Sequence, residues 1–341
     1  MSRCIELAKK GLGNTYPNPL VGSVIVNDGK IIGEGWHHKA GEPHAEINAI
    51  NSVNDSGLLK SSTIYVSLEP CSHFGRTPPC ASRIISEGIK NVVIGSIDPN
   101  PMVSGNGIRM LKEAGCEVKS GVMENGCIDL NKRFYTFQQK KRPYIFLKWA
   151  QTSDGFIAPL KRSDKAEPVW ISNTFSKQLV HKMRAQEAAI LVGTQTVIDD
   201  NPSLTTREWD GPSPLRITLD RMGRIPGDAT ILDGSTPTLY VTESGNSKFA
   251  DVMTRTIDFE KPIARQICDI LYDMDIQSLI VEGGSRTLQT FIDEDLWDEA
   301  YVFEGNSEFG EGVASPSIAG LVLSEENIKD DQLTIFKNLA G

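Results

Sequence analysis

"PHAEINAI" (residues 43–50) sets a histidine and a glutamate two positions apart at the start of a helical pattern, and "EPCSHFGRTPPC" (residues 69–80) follows with two cysteines, each preceded by proline. Both segments come after a strand-like run, and each reads as the junction where a strand gives way to a helix. Working outward from these junctions, the first 141 residues alternate the two kinds of element. Helices are expected over "CIELAKKG", from "HAEINAI", from "CASRIISEG", at "GIRMLKEAG" and, as one element, over "ENGCIDLNKRFYTFQQ". Strands are expected at "VGSVIVN", "IIGEGWH", "STIYVSLE", "NVVIGSI" and "CEVKSGV". Such alternation implies an α/β sandwich with parallel strands after an opening antiparallel pair.

The polar stretch "QQKKRP" divides the chain into 1–141 and 142–341, a length that suits two domains. Beyond it the alternation restarts, with strands at "YIFLKWAQTSDG", "AAILVG", "LRITLD", "TLYVT", "SLIVEGG" and "EAYVFEG" and helices at "NTFSKQLVHKMRA", "PIARQICDILYDM" and "RTLQTFIDE". The second half is another α/β domain, not a repeat of the first. No apolar run is long enough to cross a bilayer, and the N-terminus has no apolar signal core, so a cytoplasmic location is expected. In that reducing setting the six cysteines read as metal ligands or buried thiols. The net charge of −9 disfavours long nucleic acid as a partner, since the only dense basic cluster is "KKRP" at 140–143. A small phosphorylated ligand needs only one or two well-placed cations.

Taken singly, His44, Glu46, Cys71 and Cys80 read as ordinary packing or turn residues. Together they read as a metal site. One imidazole and two thiolates give the three protein ligands of a catalytic zinc, with the fourth position left for water. Glu46 would enter the same pocket unligated and shuttle protons. H-x-E followed by P-C-x-x-C is the signature of zinc nucleobase deaminases. Here the second cysteine departs, with eight residues between Cys71 and Cys80, and "SHFGRTPP" must loop back to the metal. The alternative is a closed structural site, for which His37, His38 or His73 would supply a fourth ligand.

"TYPNPLVGSVIV", "HAEINAI", "EPCSHFGRTPPC" and "DPNPMVSGNGI" resemble, in order and spacing, the deaminase half of the bifunctional deaminase/reductase family of riboflavin biosynthesis. "WISN", "MRAQEAAILVGTQTVIDDNPSLTTR", "LRITLD" and "IVEGG" resemble its reductase half. The resemblance implies a cytidine-deaminase-like three-layer α/β/α domain followed by a dihydrofolate-reductase-like α/β domain. It implies zinc-dependent removal of an amino group from a phosphorylated pyrimidine, then NADPH-dependent reduction of the ribosyl group to ribityl. It also implies a homo-oligomer.

By the same resemblance Asn18, Asp98 and Asn100 would hold the pyrimidine and sugar, although read alone they are turn formers beside proline. Trp170, Thr196 and Asp200 would contact NADPH, and Leu204 and Glu282 would line the substrate site. Arg184 and Arg207 are the cations suited to the substrate phosphate, because guanidinium binds phosphate bidentately. Gly283 and Gly284 would let the backbone approach a cofactor phosphate at a helix N-terminus. Lys148, a charge inside an apolar strand, is expected to face the cleft. The sequence departs from the family pattern at Ser23, in "QTSDG" (151–155), at Gln195 where glycine is frequent, and in "GEGVASPSIAG" (310–320). A deaminase of RNA bases with a binding module behind it is the competing enzyme class, and the acidic balance argues against it.

Overall fold

The computed structural model describes all residues except 73–77, 102, 161–165, 245–248, 250–251 and 340–341. The chain forms two compact units, Met1–Lys141 and Arg142–Gly341. The first runs α1 (Ser2–Lys9), β1 (Gly22–Asn27), β2 (Lys30–Trp36), α2 (Ala45–Asn51), β3 (Thr63–Leu68), α3 (Cys80–Ser86), β4 (Asn91–Ser96), α4 (Asn106–Glu113), β5 (Glu117–Lys119), α5 (Glu124–Leu130) and α6 (Lys132–Lys140).

Its five strands are ordered β2-β1-β3-β4-β5. β1 pairs antiparallel with β2 and β3, while β3, β4 and β5 run parallel. Alternate residues of a strand face opposite ways, so β1 feeds two cores. Ile25 packs with Ala49, Ile50, Ala81, Ile84 and Leu111 of α2, α3 and α4. Val24 packs with Cys4 and Leu7 of α1. Leu68 meets Phe134 and Tyr135 of α6, with Ile128 of α5 beside them. The sheet is thus sandwiched between two helical layers.

The segment expected as one helix over "ENGCIDLNKRFYTFQQ" is two, broken at Asn131. This residue leaves helical geometry at φ −105° and ψ 23°. Its buried amide instead satisfies both backbone groups of Leu20, accepting from the N–H at 2.8 Å and donating to the C=O at 2.9 Å. An apolar pattern at helical spacing cannot reveal such an interruption.

The second unit runs β6 (Tyr144–Thr152), β7 (Phe156–Pro159), α7 (Thr174–Gln186), β8 (Ala189–Gly193), α8 (Thr194–Asp200), β9 (Leu215–Leu219), β10 (Thr238–Thr242), β11 (Met253–Thr256), α9 (Ile263–Asp273), β12 (Ser278–Glu282), α10 (Ser285–Asp293), β13 (Glu299–Gly305), β14 (Gly312–Ala314), β15 (Leu321–Ile328) and β16 (Asp331–Lys337). Nine strands form one sheet in the order β11-β10-β9-β8-β12-β6-β13-β16-β15. β11 through β13 are parallel neighbours, and β16 and β15 add antiparallel.

Ile145, Leu147, Leu191 and Val281 pack on one face with Ile267 and Leu271 of α9 and Phe291 of α10. Phe146, Ile190 and Ile280 pack on the other with Met183 of α7 and Val197 of α8. Sequence reasoning did not foresee α8 or the strands β7, β11, β14, β15 and β16. α8 starts at the residue after β8, with Gly193 as its N-cap, and is too short to show a period. None of the helices is long and apolar enough to cross a membrane among the described residues.

Candidate active site

In the first unit two glycines let α2 lie directly on β2. A Cβ at Gly35 would stand 2.4 Å from the backbone N of Ala49, and one at Gly33 would stand 2.6 Å from the Ala49 oxygen. This close approach presses the N-terminus of α2, where His44 is the N-cap, against the sheet. Cys80 opens α3 and Cys71 sits in the segment between β3 and α3, so both ligand groups fall at strand-to-helix junctions as the sequence leads one to expect.

His44 Nδ1 lies 3.6 Å from Cys71 Sγ and 3.3 Å from Cys80 Sγ. The three ligand atoms all fall within 4.8 Å of one another, and no other described residue joins the group. A tetrahedral zinc with bonds of about 2.3 Å to sulfur and 2.0–2.1 Å to nitrogen needs N–S edges of about 3.6 Å. The donor set and spacing therefore fit zinc. The backbone N–H of Cys80 also donates to Cys71 Sγ at 3.3 Å. The Cys71 thiol is held below its usual range, first by its hydrogen bond with Cys80 and then, against the opposing effect of burial, by His44, so a thiolate is favoured there.

Neither candidate fourth ligand among the described histidines is placed to close the site. His37 uses both ring nitrogens, with Nδ1 on Pro43 O at 3.2 Å and Nε2 on Asn18 Nδ2 at 3.1 Å. His38 stacks on Trp36, with ring centroids 4.3 Å apart. His73 lies outside the described residues. Glu46, in the first turn of α2, is 3% exposed. Burial, and then the Cys71 charge, push its carboxyl up to about 7. A buried carboxyl beside the three donors, itself outside the ligand group, suits an acid/base.

The other expected residues of this unit stand close by through intermediaries. Asn18 binds His37, whose ring packs edge-on against His44 at 5.3 Å. Asp98 is buried, and its Oδ1 accepts from the Asn100 N–H at 2.8 Å, the turn geometry expected of Asp before proline. Sequence reasoning missed what anchors this turn. Glu69, two residues before Cys71, accepts from the backbone N–H groups of Asp98, Gly105, Gly107 and Ile108 at 2.9–3.3 Å. Only the tertiary fold makes that carboxylate the clasp between the cysteine segment and the start of α4.

In the second unit Lys148, Trp170, Arg184, Thr196, Asp200, Leu204, Arg207, Glu282 and Gly284 all line one cavity of about 990 Å³. It opens beyond the C-terminal ends of parallel strands, where open α/β sheets bind ligands. Gly283 and Gly284 have φ of +81° and +78°, and Gly284 caps α10. A Cβ on either would meet the Thr196 side chain at 3.1–3.2 Å. These glycines leave room for a ligand phosphate at a helix start. Trp170 is 60% exposed, with Lys177 Nζ 3.3 Å from its ring centroid.

The sequence did not show that three of these residues form an ion triad. Glu282 binds Lys148 Nζ at 2.8 Å and Arg184 Nη2 at 2.9 Å, with all three side chains nearly buried. Burial pushes the Glu282 carboxyl up, but Arg184 and Lys148 outweigh it and hold the group at about 2. Arg184 is therefore engaged by a carboxylate, while among the described residues the Arg207 guanidinium bonds to the Ser203 and Thr205 hydroxyls and to no carboxylate. Gln195, the bulky departure from glycine, bridges Arg224 and Asp199 at 2.8 Å each on the cavity wall.

Comparison with known proteins matches both units. Residues 1–96 match the cytidine and deoxycytidylate deaminase zinc-binding region, and residues 143–335 match the RibD C-terminal domain. The riboflavin biosynthesis protein RibD of Aquifex aeolicus is 42% identical over 99% of this chain and 97% of its own. That of Escherichia coli is 36% identical over 89% and 86%. Among solved structures, the diaminohydroxyphosphoribosylaminopyrimidine deaminase/5-amino-6-(5-phosphoribosylamino)uracil reductase of Thermotoga maritima superposes with a TM-score of 0.90 at 39% identity, covering 99% and 97% of the two chains. With its zinc-type and reductase-type units in this order, the chain belongs to the RibD family, the bifunctional deaminases and reductases of riboflavin biosynthesis.

Proposed function

We propose that the first unit deaminates 2,5-diamino-6-(5-phosphoribosylamino)pyrimidin-4(3H)-one and that the second reduces the ribosyl side chain of the product to ribityl with NADPH. The observation that carries the reading is the buried Glu46 beside a three-donor site of His44, Cys71 and Cys80 with no fourth protein ligand among the described residues. His44, Cys71 and Cys80 would hold a zinc ion, which when bound would supply a Lewis acid that lowers the pKa of a water molecule toward neutrality. Glu46 takes a proton from the attacking water and delivers it to the ring nitrogen. It then takes the remaining proton from the hydroxyl added to the ring carbon and passes it to the departing amine, so that water and the diaminopyrimidinone become the aminopyrimidinedione and ammonia. Asn18, Asp98 and Asn100 orient the pyrimidine and sugar.

NADPH bound in the second unit's cavity would supply a hydride to the ribosyl carbon. Trp170, Thr196, Asp200 and Gly284 hold the dinucleotide, and Leu204 and Glu282 line the substrate side. Arg207 takes the substrate phosphate. Arg184 and Lys148 act through their pairing with Glu282, which fixes all three on the wall. We further assign the enzyme to the cytoplasm as a homo-oligomer, acting on a small molecule and not on nucleic acid.

Glu46→Gln tests the deaminase half. It is expected to keep one zinc per chain and lose ammonia release by at least a hundredfold, a typical general acid/base contribution, while NADPH oxidation on the deaminated substrate continues. Ammonia release at the wild-type rate would remove Glu46 from the mechanism.

A further inference from the structure

His181, on α7, has no part in the assignments above. It is 5% exposed and lines the second unit's cavity together with Arg184 and Arg207. The backbone N–H of Arg207 donates to its Nδ1 at 3.1 Å. A backbone N–H can only donate, so Nδ1 carries no proton and the imidazole proton sits on Nε2. Burial first, and then the Arg184 and Arg207 charges, hold this histidine below its usual range, which keeps the ring neutral. Nε2 makes no hydrogen bond among the described residues, and it is not one of the buried polar atoms left without a partner. It therefore opens on the cavity as an N–H donor.

The segment Ser203–Arg207 shows why this matters. It belongs to no helix or strand, and side chains from outside hold its main chain. Arg216 donates to Ser203 O and Arg184 to Thr205 O, each at 3.3 Å. Ser213 Oγ accepts from the Thr206 N–H at 3.0 Å, and His181 accepts from Arg207. Leu204 is buried at a φ of +54°, a conformation that β-carbon-bearing residues hold only when their surroundings impose it. The guanidinium of Arg207 is thus aimed by its backbone, and His181 fixes the last link of that backbone. Lys148 and Arg184 are already paired with Glu282, so an incoming dianion needs donors beyond the Arg207 fork.

We propose that His181 is a binding residue of the phosphate subsite: its Nδ1 fixes the backbone that presents Arg207, and its Nε2–H donates to the substrate's phosphoryl group beside the Arg207 guanidinium. The proposal rests on the assignment of Arg207 to the substrate phosphate.

Three substitutions separate the two nitrogens. His181→Asn retains an acceptor near Nδ1, His181→Gln retains a donor near Nε2, and His181→Ala retains neither. The measurements are KM and kcat for NADPH oxidation on the phosphorylated substrate, the inhibition constant of inorganic phosphate, and the NADPH dissociation constant by fluorescence. His181→Ala is expected to raise KM and the phosphate inhibition constant about tenfold or more, the worth of a hydrogen bond to a charged group. Its kcat and NADPH affinity should stay within about threefold, and the Asn and Gln variants should each fall between alanine and wild type. Unchanged KM and phosphate inhibition in His181→Ala, with both raised in Arg207→Ala, would overturn the role of His181 alone. If Arg207→Ala changes neither constant, the phosphate assignment fails and the His181 proposal fails with it. Equal loss of kcat and of both affinities in all three variants would make His181 structural and refute the proposal.

Discussion

Replacing Glu282 with glutamine removes the one carboxylate that binds both Lys148 and Arg184 inside the second unit. The group sits at about 2 against an ordinary 4.5. At ~1.4 kcal/mol per pH unit, that difference corresponds to about 3 kcal/mol of stability at neutral pH. The same figure follows independently from the roughly 3–5 kcal/mol cost of stranding one side of a buried ion pair. The expected result is a urea midpoint for this unit lower by on the order of 1 M at pH 7, for an m-value of about 2–3 kcal/mol/M. The fluorescence of Trp149 and Trp297, both buried in this unit, reports the transition. Because the folded value lies below the unfolded one, the wild-type contribution is complete above about pH 4.5 and is lost as the pH falls toward 2. The difference between wild type and Glu282→Gln should therefore shrink over that acid window. Adding Lys148→Met to Glu282→Gln should recover part of the loss, since one stranded cation is gone. An unchanged midpoint at pH 7, or a gap that widens as the pH drops, would refute the reasoning.

Other perturbations act through contacts of different kinds. Gly35→Ala puts a methyl 2.4 Å from the backbone N of Ala49, so it should displace α2 and lower zinc retention after dialysis; full zinc content would show that the contact can relax. Glu69→Gln keeps the shape but turns an NH₂ toward N–H groups that need acceptors. It should cut deaminase kcat/KM at least tenfold, at a cost of about 1–3 kcal/mol per unsatisfied group, and a wild-type value would count against the clasp. Asn131→Ala leaves the Leu20 N–H and C=O without their buried partner. Its unfolding free energy should fall by roughly 2–4 kcal/mol, as read by urea denaturation of the first unit.

The grouping of His44, Cys71 and Cys80, and the burial of Glu46 beside His44, were legible because their marks are local. H-x-E on one turn and cysteines after prolines leave their mark within a dozen residues, and the period of the apolar positions marks most strands and helices around them. Among the features that escaped were α8, whose seven residues follow a strand without a linker, β15, whose residues are mostly exposed and show no inside–outside alternation, and the break at Asn131, which depends on Leu20 more than a hundred residues away.

Sequence alone determined which residue types stand at the two strand ends, and hence that a His, two Cys and a Glu were available for metal chemistry. Only the folded chain decided that Glu282 is shared by Lys148 and Arg184, that Glu69 clasps four backbone N–H groups, and that His181 lines the cavity with its Nδ1 on the Arg207 N–H. Those choices depend on which side chains desolvate one another across long stretches of chain. A linear pattern carries no term for that, because burial and pairing are properties of the packed three-dimensional neighbourhood.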